Sequence, residues 1–325
     1  MKRRKRGGSW WVKFFAKKLC LFLIVMIGIT FLSFVLSYFS PSDPAQMMYQ
    51  AQGITPTDEM LAATRERMGL NRPMIVQYGA WLLQMVRGDM GTSLKSGNPV
   101  LEEMLKVLPN TLYLTLLSMS LTVSIATPLG ILCAKYKDGK LDYAVRFVTY
   151  LFASLPSFFL ALVLMFLFCI QFNMLPVIGT SGPAGIILPA MVLSLTLSAW
   201  FTRQVRAIVL RELNNDYVQG LRSRGVPEKR ILFRHVLKNS LMPVVTLVGI
   251  SFGSMLGGST IVESIFTWPG IGKLAVDAIS ARDYQVIQGY VVWMALIFLI
   301  VNSLVDLSYG WFDPRVRKGS AEVKS

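Results

Sequence analysis

The chain reads as an all-α protein that crosses a membrane six times, and three observations carry that expectation. Of 325 residues, 53% are hydrophobic and only 16% charged, too apolar a balance for an ordinary soluble domain. The apolar residues are gathered into long runs. The basic residues are gathered too, with 25 of the 33 Lys and Arg on alternate connections, which places those connections on the cytoplasmic side.

The first element follows a basic tail, residues 1–18, whose Lys2-Arg3-Arg4-Lys5-Arg6 opens 8 of those positive charges. Residues 19–39 hold no charge over 21 positions, enough for a helix to cross a hydrocarbon core of ~30 Å. Leu36-Ser37-Tyr38-Phe39 is too bulky for a cleavage site, so this span is read as retained. Residues 40–108 form an extracytoplasmic segment with 6 basic and 7 acidic residues. Turn residues Pro41, Asp43 and Pro44 open it, and helical spacing through Leu61, Met68 and Leu70, with Tyr78 and Trp81-Leu82-Leu83, predicts a small folded layer.

Residues 109–310 make a five-helix core. Its uncharged runs are Asn110–Ala134, Phe147–Trp200 (broken by the Pro- and Gly-rich Pro176–Gly185), Ser240–Val262 and Val286–Val305. Pro128 and Pro156 mark expected kinks. In the fifth span Gly249, Gly253 and Gly257 recur at i, i+4 and i+8, baring one helix face. Together with Ser254 they are candidates for close helix packing or for a slim, mildly polar pore lining. A cytoplasmic tail, 311–325, closes the chain.

The cytoplasmic loop 203–240 interrupts this core with 9 Lys and Arg between Arg203 and Lys238. Leu213, Tyr217 and Leu221 stand at i, i+4 and i+8 while Arg222 and Arg224 face elsewhere, which predicts a short amphipathic helix. Gly225-Val226-Pro227 ends it. A basic loop of this kind can rest on anionic lipid headgroups or dock across the membrane face into a soluble partner.

Much chemistry is excluded. The central parts of the spans carry no ionisable residue, which argues against a proton pump. Gly270-Ile271-Gly272-Lys273-Leu274 only superficially resembles a phosphate-binding loop, because Thr267 stands where Gly is required and Leu274 where Ser or Thr is. Cys20, Cys133 and Cys169 fall within spans without metal or disulfide spacing, and one histidine, His235, makes no metal site. No catalytic residues, cofactor or metal site are expected, and the distribution of charge points to membrane lipid and not to nucleic acid.

With these residues in view, the chain resembles the permease subunits of ABC importers, in the dipeptide, oligopeptide and nickel branch. Asp216–Gly225 and the run to Pro243 are similar to that family's coupling loop. Family-like strings follow in order from Asp43-Pro44-Ala45 to Asp313-Pro314-Arg315. Among them are Gly88-Asp89-Met90-Gly91-Thr92-Ser93, Ser154-Leu155-Pro156-Ser157-Phe158, Glu263-Ser264-Ile265-Phe266 with Pro269-Gly270-Ile271-Gly272, and Ala281-Arg282-Asp283-Tyr284. The loop departs from the general pattern at Gly220 and Leu221, where two alanines are usual.

The resemblance implies a type I ABC importer fold in a bacterial cytoplasmic (inner) membrane with both termini cytoplasmic. It implies a second homologous permease, two ATP-binding-cassette ATPases that hydrolyse ATP, and an extracytoplasmic substrate-binding protein. Asp216, Tyr217, Gly220, Leu221, Arg222, Arg224 and Gly225 would then couple the channel to the ATPases. The implied cargo is nickel, chelated because no His or Cys lies on the outer segment, or small peptides. Ala51–Thr57 with Leu70-Asn71-Arg72-Pro73 stands somewhat nearer the nickel permeases. The rival readings are an ion-coupled secondary transporter working without an ATPase, and a membrane scaffold or sensor that moves nothing.

Overall fold

The computed structural model describes residues 7–40, 43–51, 53–176 and 184–312. Lys2–Arg6, Pro41, most of Pro176–Gly185 and Asp313-Pro314-Arg315 therefore lie outside the described residues. The described chain is almost wholly helical, with one isolated bridge between Thr92 and Pro99. It divides into two compact units, Met1–Leu108 with Leu274–Leu299, and Pro109–Lys273 with Ile300–Ser325.

In the first unit, α1 runs from Gly7 to Tyr38 and so begins inside the expected basic tail. Its membrane-length part exposes Leu19, Leu21, Ile24 and Leu32, the face expected of a helix solvated by lipid. Three short helices follow: α2 (Pro44–Ala51), α3 (Asp58–Arg67) and α4 (Met74–Val86). Each start is encoded locally. Pro44 occupies the first helical position. Thr57 caps α3 by accepting from the Met60 amide at 3.3 Å, with Asp58 and Glu59 in the first turn and Arg65 and Arg67 in the last, complementing the helix dipole. The expected folded layer is present: the Tyr49 hydroxyl meets the Thr64 hydroxyl at 2.8 Å, and Phe34 of α1 packs on Tyr78 and Trp81 of α4.

The second unit holds residues 109–135 of α5 (Val100–Lys135), then α6 (Lys140–Ser154), α7 (Ser157–Met165) and α8 (Ile187–Leu213). The loop helix α9 (Asp216–Ser223) and a one-turn α10 (Glu228–Arg230) come next. A π-helical turn at Ile231–Val236 leads into α11 (Leu237–Ile265). The chain closes with α12 (Ile271–Ala281) and α13 (Tyr284–Phe312), both shared between the units.

Along α5, Thr111, Thr115, Ser118 and Thr122 form one fully buried face. Thr115, Ser118 and Thr122 return their hydroxyl protons to carbonyls one turn back at 2.7–2.8 Å, so small polar side chains sit in an apolar core with their donors satisfied. At Gly130 an added Cβ would lie 2.7 Å from the Val205 Cβ, so α8 crosses α5 there at backbone distance.

Four helices are long and apolar enough to cross a membrane: Lys18–Tyr38, Val100–Lys135, Glu228–Ile265 and Tyr284–Val305. The pair Lys140–Ser154 and Ser157–Gln171, bent by 99°, makes a fifth if it is one span. Six were expected. The helix that falls short is α8, 27 residues long, whose C-terminal part carries Arg203, Arg206, Arg211 and Glu212. The Pro156 kink is a full break: Leu155 adopts an extended ψ of 125°, as a residue before proline prefers. Pro128, in contrast, lies inside an uninterrupted α5.

Candidate coupling site

Residues Asp216 to Gly225 fold as the sequence spacing suggests. Asn215, in extended conformation, precedes α9, with Asp216 in the first turn and Arg222 in the last. Gly225 closes the helix at φ +71°, and the Val226 amide donates back to the Leu221 carbonyl at 3.1 Å. This is the left-handed glycine cap that only a residue without Cβ takes at little cost.

The helix has one anchored face. Val218 is fully buried in a cluster of Phe201, Val205, Val209, Ile231, Leu232 and Val236, with Ala126 and Ala134 of α5. Tyr217 and Leu221 pack on its edge. The Tyr217 hydroxyl donates to Glu212 at 2.9 Å, and the Asn215 amide donates to the same oxygen at 3.1 Å. Burial, followed by that carboxylate, pushes the Tyr217 phenol above its ordinary pKa, so it stays a proton donor. The α9 helix is thus tied both to the C-terminal end of α8 and to the π-turn before α11.

The other face is open. Asp216, Gly220, Arg222, Arg224 and Gly225 are exposed, and an added Cβ on Gly220 would meet nothing within 4 Å. Arg222 grips Glu228 across the glycine turn at 2.7 Å through Nε. Lys229, Arg230 and Arg234 extend the exposed basic surface, and Phe233 adds an apolar side chain to it. One detail of the sequence reading is corrected: Leu213 ends α8 and is not on the α9 helix, because Asn214 and Asn215 break the chain between them. It still packs on the same apolar cluster as Tyr217 and Leu221.

The glycine row of α11 divides. Gly249 is buried, and a Cβ there would stand 2.1 Å from the Val305 Cγ2 of α13, which makes it a close-packing position. Gly253 is half-buried, while Ser254 and Gly257 are exposed, with open space around Gly257.

Sequence reasoning missed a second constellation. Glu263, at the end of α11, is fully buried. Its carboxylate accepts the Thr111 hydroxyl at 2.8 Å and the amides of Gly272 and Lys273 at 2.8 and 3.1 Å. The Ile271 amide donates to the Thr111 hydroxyl at 2.8 Å. A Cβ on Gly270 would lie 2.4 Å from the Glu263 carboxyl carbon, and one on Gly272 would lie 2.8 Å from its Oε2. The sequence that superficially resembles a phosphate loop instead turns its backbone amides onto the chain's own Glu263 side chain. The signal was the spacing of Glu263 from Pro269-Gly270-Ile271-Gly272.

No group of three or more His, Cys, Asp or Glu suited to a metal ion occurs among the described residues. The arrangement suits mechanical work: a short helix, rigidly rooted on one side and open on the other, at the foot of membrane-length helices.

Comparison with known proteins agrees over nearly the whole length. Residues 126–318 match the family model described as binding-protein-dependent transport system inner membrane component, and residues 11–115 match its N-terminal companion. The metal-staphylopine import system permease protein CntB of Staphylococcus aureus is 36% identical over 95% of this chain and 99% of its own. The oligopeptide transport system permease protein AppB of Bacillus subtilis is 39% identical over 90% and 95%. The glutathione transport system permease protein GsiC of Pectobacterium atrosepticum is 34% identical over 94% and 99%. Among solved structures, an inward-facing MetNI methionine ABC transporter matches 65% of this chain and 96% of its own, with a TM-score of 0.57 and 18% identity, a likeness of fold.

Proposed function

The chain belongs to the binding-protein-dependent transport system inner membrane components, the membrane subunits of ABC importers, and from that premise we propose how it works and what it carries. It pairs with a second homologous permease to enclose a translocation pathway for small peptides or chelated nickel. Two ATP-binding-cassette subunits bind beneath it and hydrolyse the ATP, and an extracytoplasmic binding protein delivers the cargo. Relatives named for metal-staphylopine, oligopeptides and glutathione support a cargo of peptide-like or metal-chelate chemistry.

In this reading α8 is the sixth span, shielded from lipid by its neighbours, and both termini are cytoplasmic. Residues 40–108 are extracytoplasmic, and the 203–240 loop faces the ATPases. The open face of α9, with Asp216, Gly220, Arg222, Arg224 and Gly225, seats in a groove of the ATPase. Its anchored face, with Tyr217 and Leu221, passes the displacement on. Ser254, Gly257 and the half-buried Gly253 line the passage, and Gly249 holds α11 against α13.

The observation that carries this reading is the two-faced α9: Val218 is fully buried, while Asp216, Gly220, Arg222 and Arg224 on the other side are exposed. A lever must be rooted to transmit force and bare to receive it. ATP then shifts the channel between states by the difference in its affinity for them.

The test is uptake of a labelled dipeptide and of a nickel–histidine chelate by membranes containing the chain with its ATPases and binding protein. Gly225→Pro, or Tyr217→Ala combined with Arg222→Ala, is expected to abolish uptake at normal membrane levels of the chain. Uptake by either variant, or uptake by the unaltered chain with no ATPase present, overturns the reading.

A further inference from the structure

The first compact unit holds a partly open cavity of about 440 Å³. That volume lies in the range of small-molecule sites, ~300–1,000 Å³. One wall is aromatic, with Phe34 of α1 and Trp81 of α4 at a ring separation of 5.9 Å. The lining also carries amide side chains. Gln285 and Gln288 stand one turn apart on α13 and share a helix face. Gln288 is 6% exposed. The Gln285 Oε1 is buried and without a partner. A buried amide oxygen left without a donor is costly unless something enters to meet it.

Charge completes the site. At its rim Arg65 pairs with Asp43 at 2.6 Å. Arg72 also lines the cavity, is exposed, and has no carboxylate partner among the described residues.

We infer that this cavity is a binding site for a short zwitterionic peptide. The unpaired Arg72 guanidinium takes its carboxylate. Asp43 shares its negative charge between Arg65 and the ligand ammonium. Gln285 and Gln288 meet backbone amides, and the Phe34–Trp81 wall takes an apolar side chain. An extended tripeptide spans about 10 Å at ~3.3 Å per residue. The inference rests on the proposed import function for its purpose but not for its chemistry. A bare metal ion finds no His or Cys here, so the site favours the peptide-like half of that proposal.

The experiment is equilibrium dialysis of radiolabelled trialanine against the full chain in lipid nanodiscs, without ATPases or binding protein. Saturable binding in the millimolar range is expected. It should weaken at least tenfold in Gln288→Leu and in Arg72→Ala, and equally for trialanine blocked by N-acetylation and C-amidation. Thermal melting that matches the unaltered chain establishes that each variant is folded. No saturable binding, binding unchanged in both variants, or a co-purified phospholipid lost on Gln288→Leu would each overturn the assignment. None of these outcomes touches the role of α9, which is judged by uptake and does not depend on this cavity.

Discussion

The carboxylate of Glu263 accepts the hydroxyl of Thr111 at 2.8 Å across 152 residues of sequence, at a point with no access to solvent. That contact joins α5 to the junction between α11 and α12. The same two side chains also receive the first amides of α12, those of Ile271, Gly272 and Lys273. A helix start that would otherwise leave donors stranded in an apolar setting is satisfied by a side chain from the preceding helix.

Glu263→Ala should therefore unbalance several groups at once. Each hydrogen bond lost that strands a buried donor costs about 1–3 kcal/mol. A lower melting temperature is expected for the purified chain in detergent, with Glu263→Gln intermediate because its amide oxygen can still accept. Equal melting of all three proteins would contradict the role given to this network.

Close packing at Gly249 makes a two-residue prediction. Gly249→Ala places a methyl 2.1 Å from the Val305 Cγ2, an overpacking change that costs ~1–3 kcal/mol. Adding Val305→Ala should recover much of that loss. Gly257→Ala, with open space around it, should leave the melting temperature unchanged or raise it slightly.

Gly225 adopts φ +71°, where a side chain costs about 1–2 kcal/mol. Gly225→Asn, which tolerates the left-handed region, should retain much of the uptake that Gly225→Val loses. The comparison is made by uptake at matched expression, so that a cap effect separates from a loss of protein.

The Tyr217 phenol has its pKa raised by burial and by Glu212. A pKa higher in the folded state favours folding below the unfolded value of ~10, and the contribution is lost as pH rises through the folded value. Stability at neutral pH is thus insensitive to this ionisation, and an alkaline loss should appear above the usual tyrosine range. Tyr217→Phe should flatten that loss and lower neutral stability by ~1 kcal/mol for the missing hydrogen bond. A pH melt of both proteins measures it.

Much was legible without coordinates because the signals are local. A lipid-facing span needs only length and apolarity, so α1, α5, α11 and α13 stand out from composition alone. Helix α9 was legible because its cap is written in consecutive residues, Gly225-Val226-Pro227. Its start was misplaced at Leu213 because the periodic apolar residues continue across the Asn214-Asn215 break, and periodicity does not register a turn that preserves phase. The π-turn at 231–236 and the 99° break at Pro156 were not legible in kind. A proline marks a disturbance, while the angle depends on what packs around it.

The amino-acid order alone determined that this chain lives in a membrane, that its positive charge gathers on alternate connections, and that one short helix between spans carries a glycine cap. Only the tertiary structure decided which of its apparently similar residues matter. It turned Gly249 inward and Gly257 outward along one helix, buried Glu263 against the amides that follow Gly270, and set Thr111, Thr115, Ser118 and Thr122 on a single inner face. The reason is physical: hydropathy and caps act within a few residues of chain, whereas satisfying a buried carboxylate or admitting a close helix crossing depends on partners tens to more than a hundred residues away.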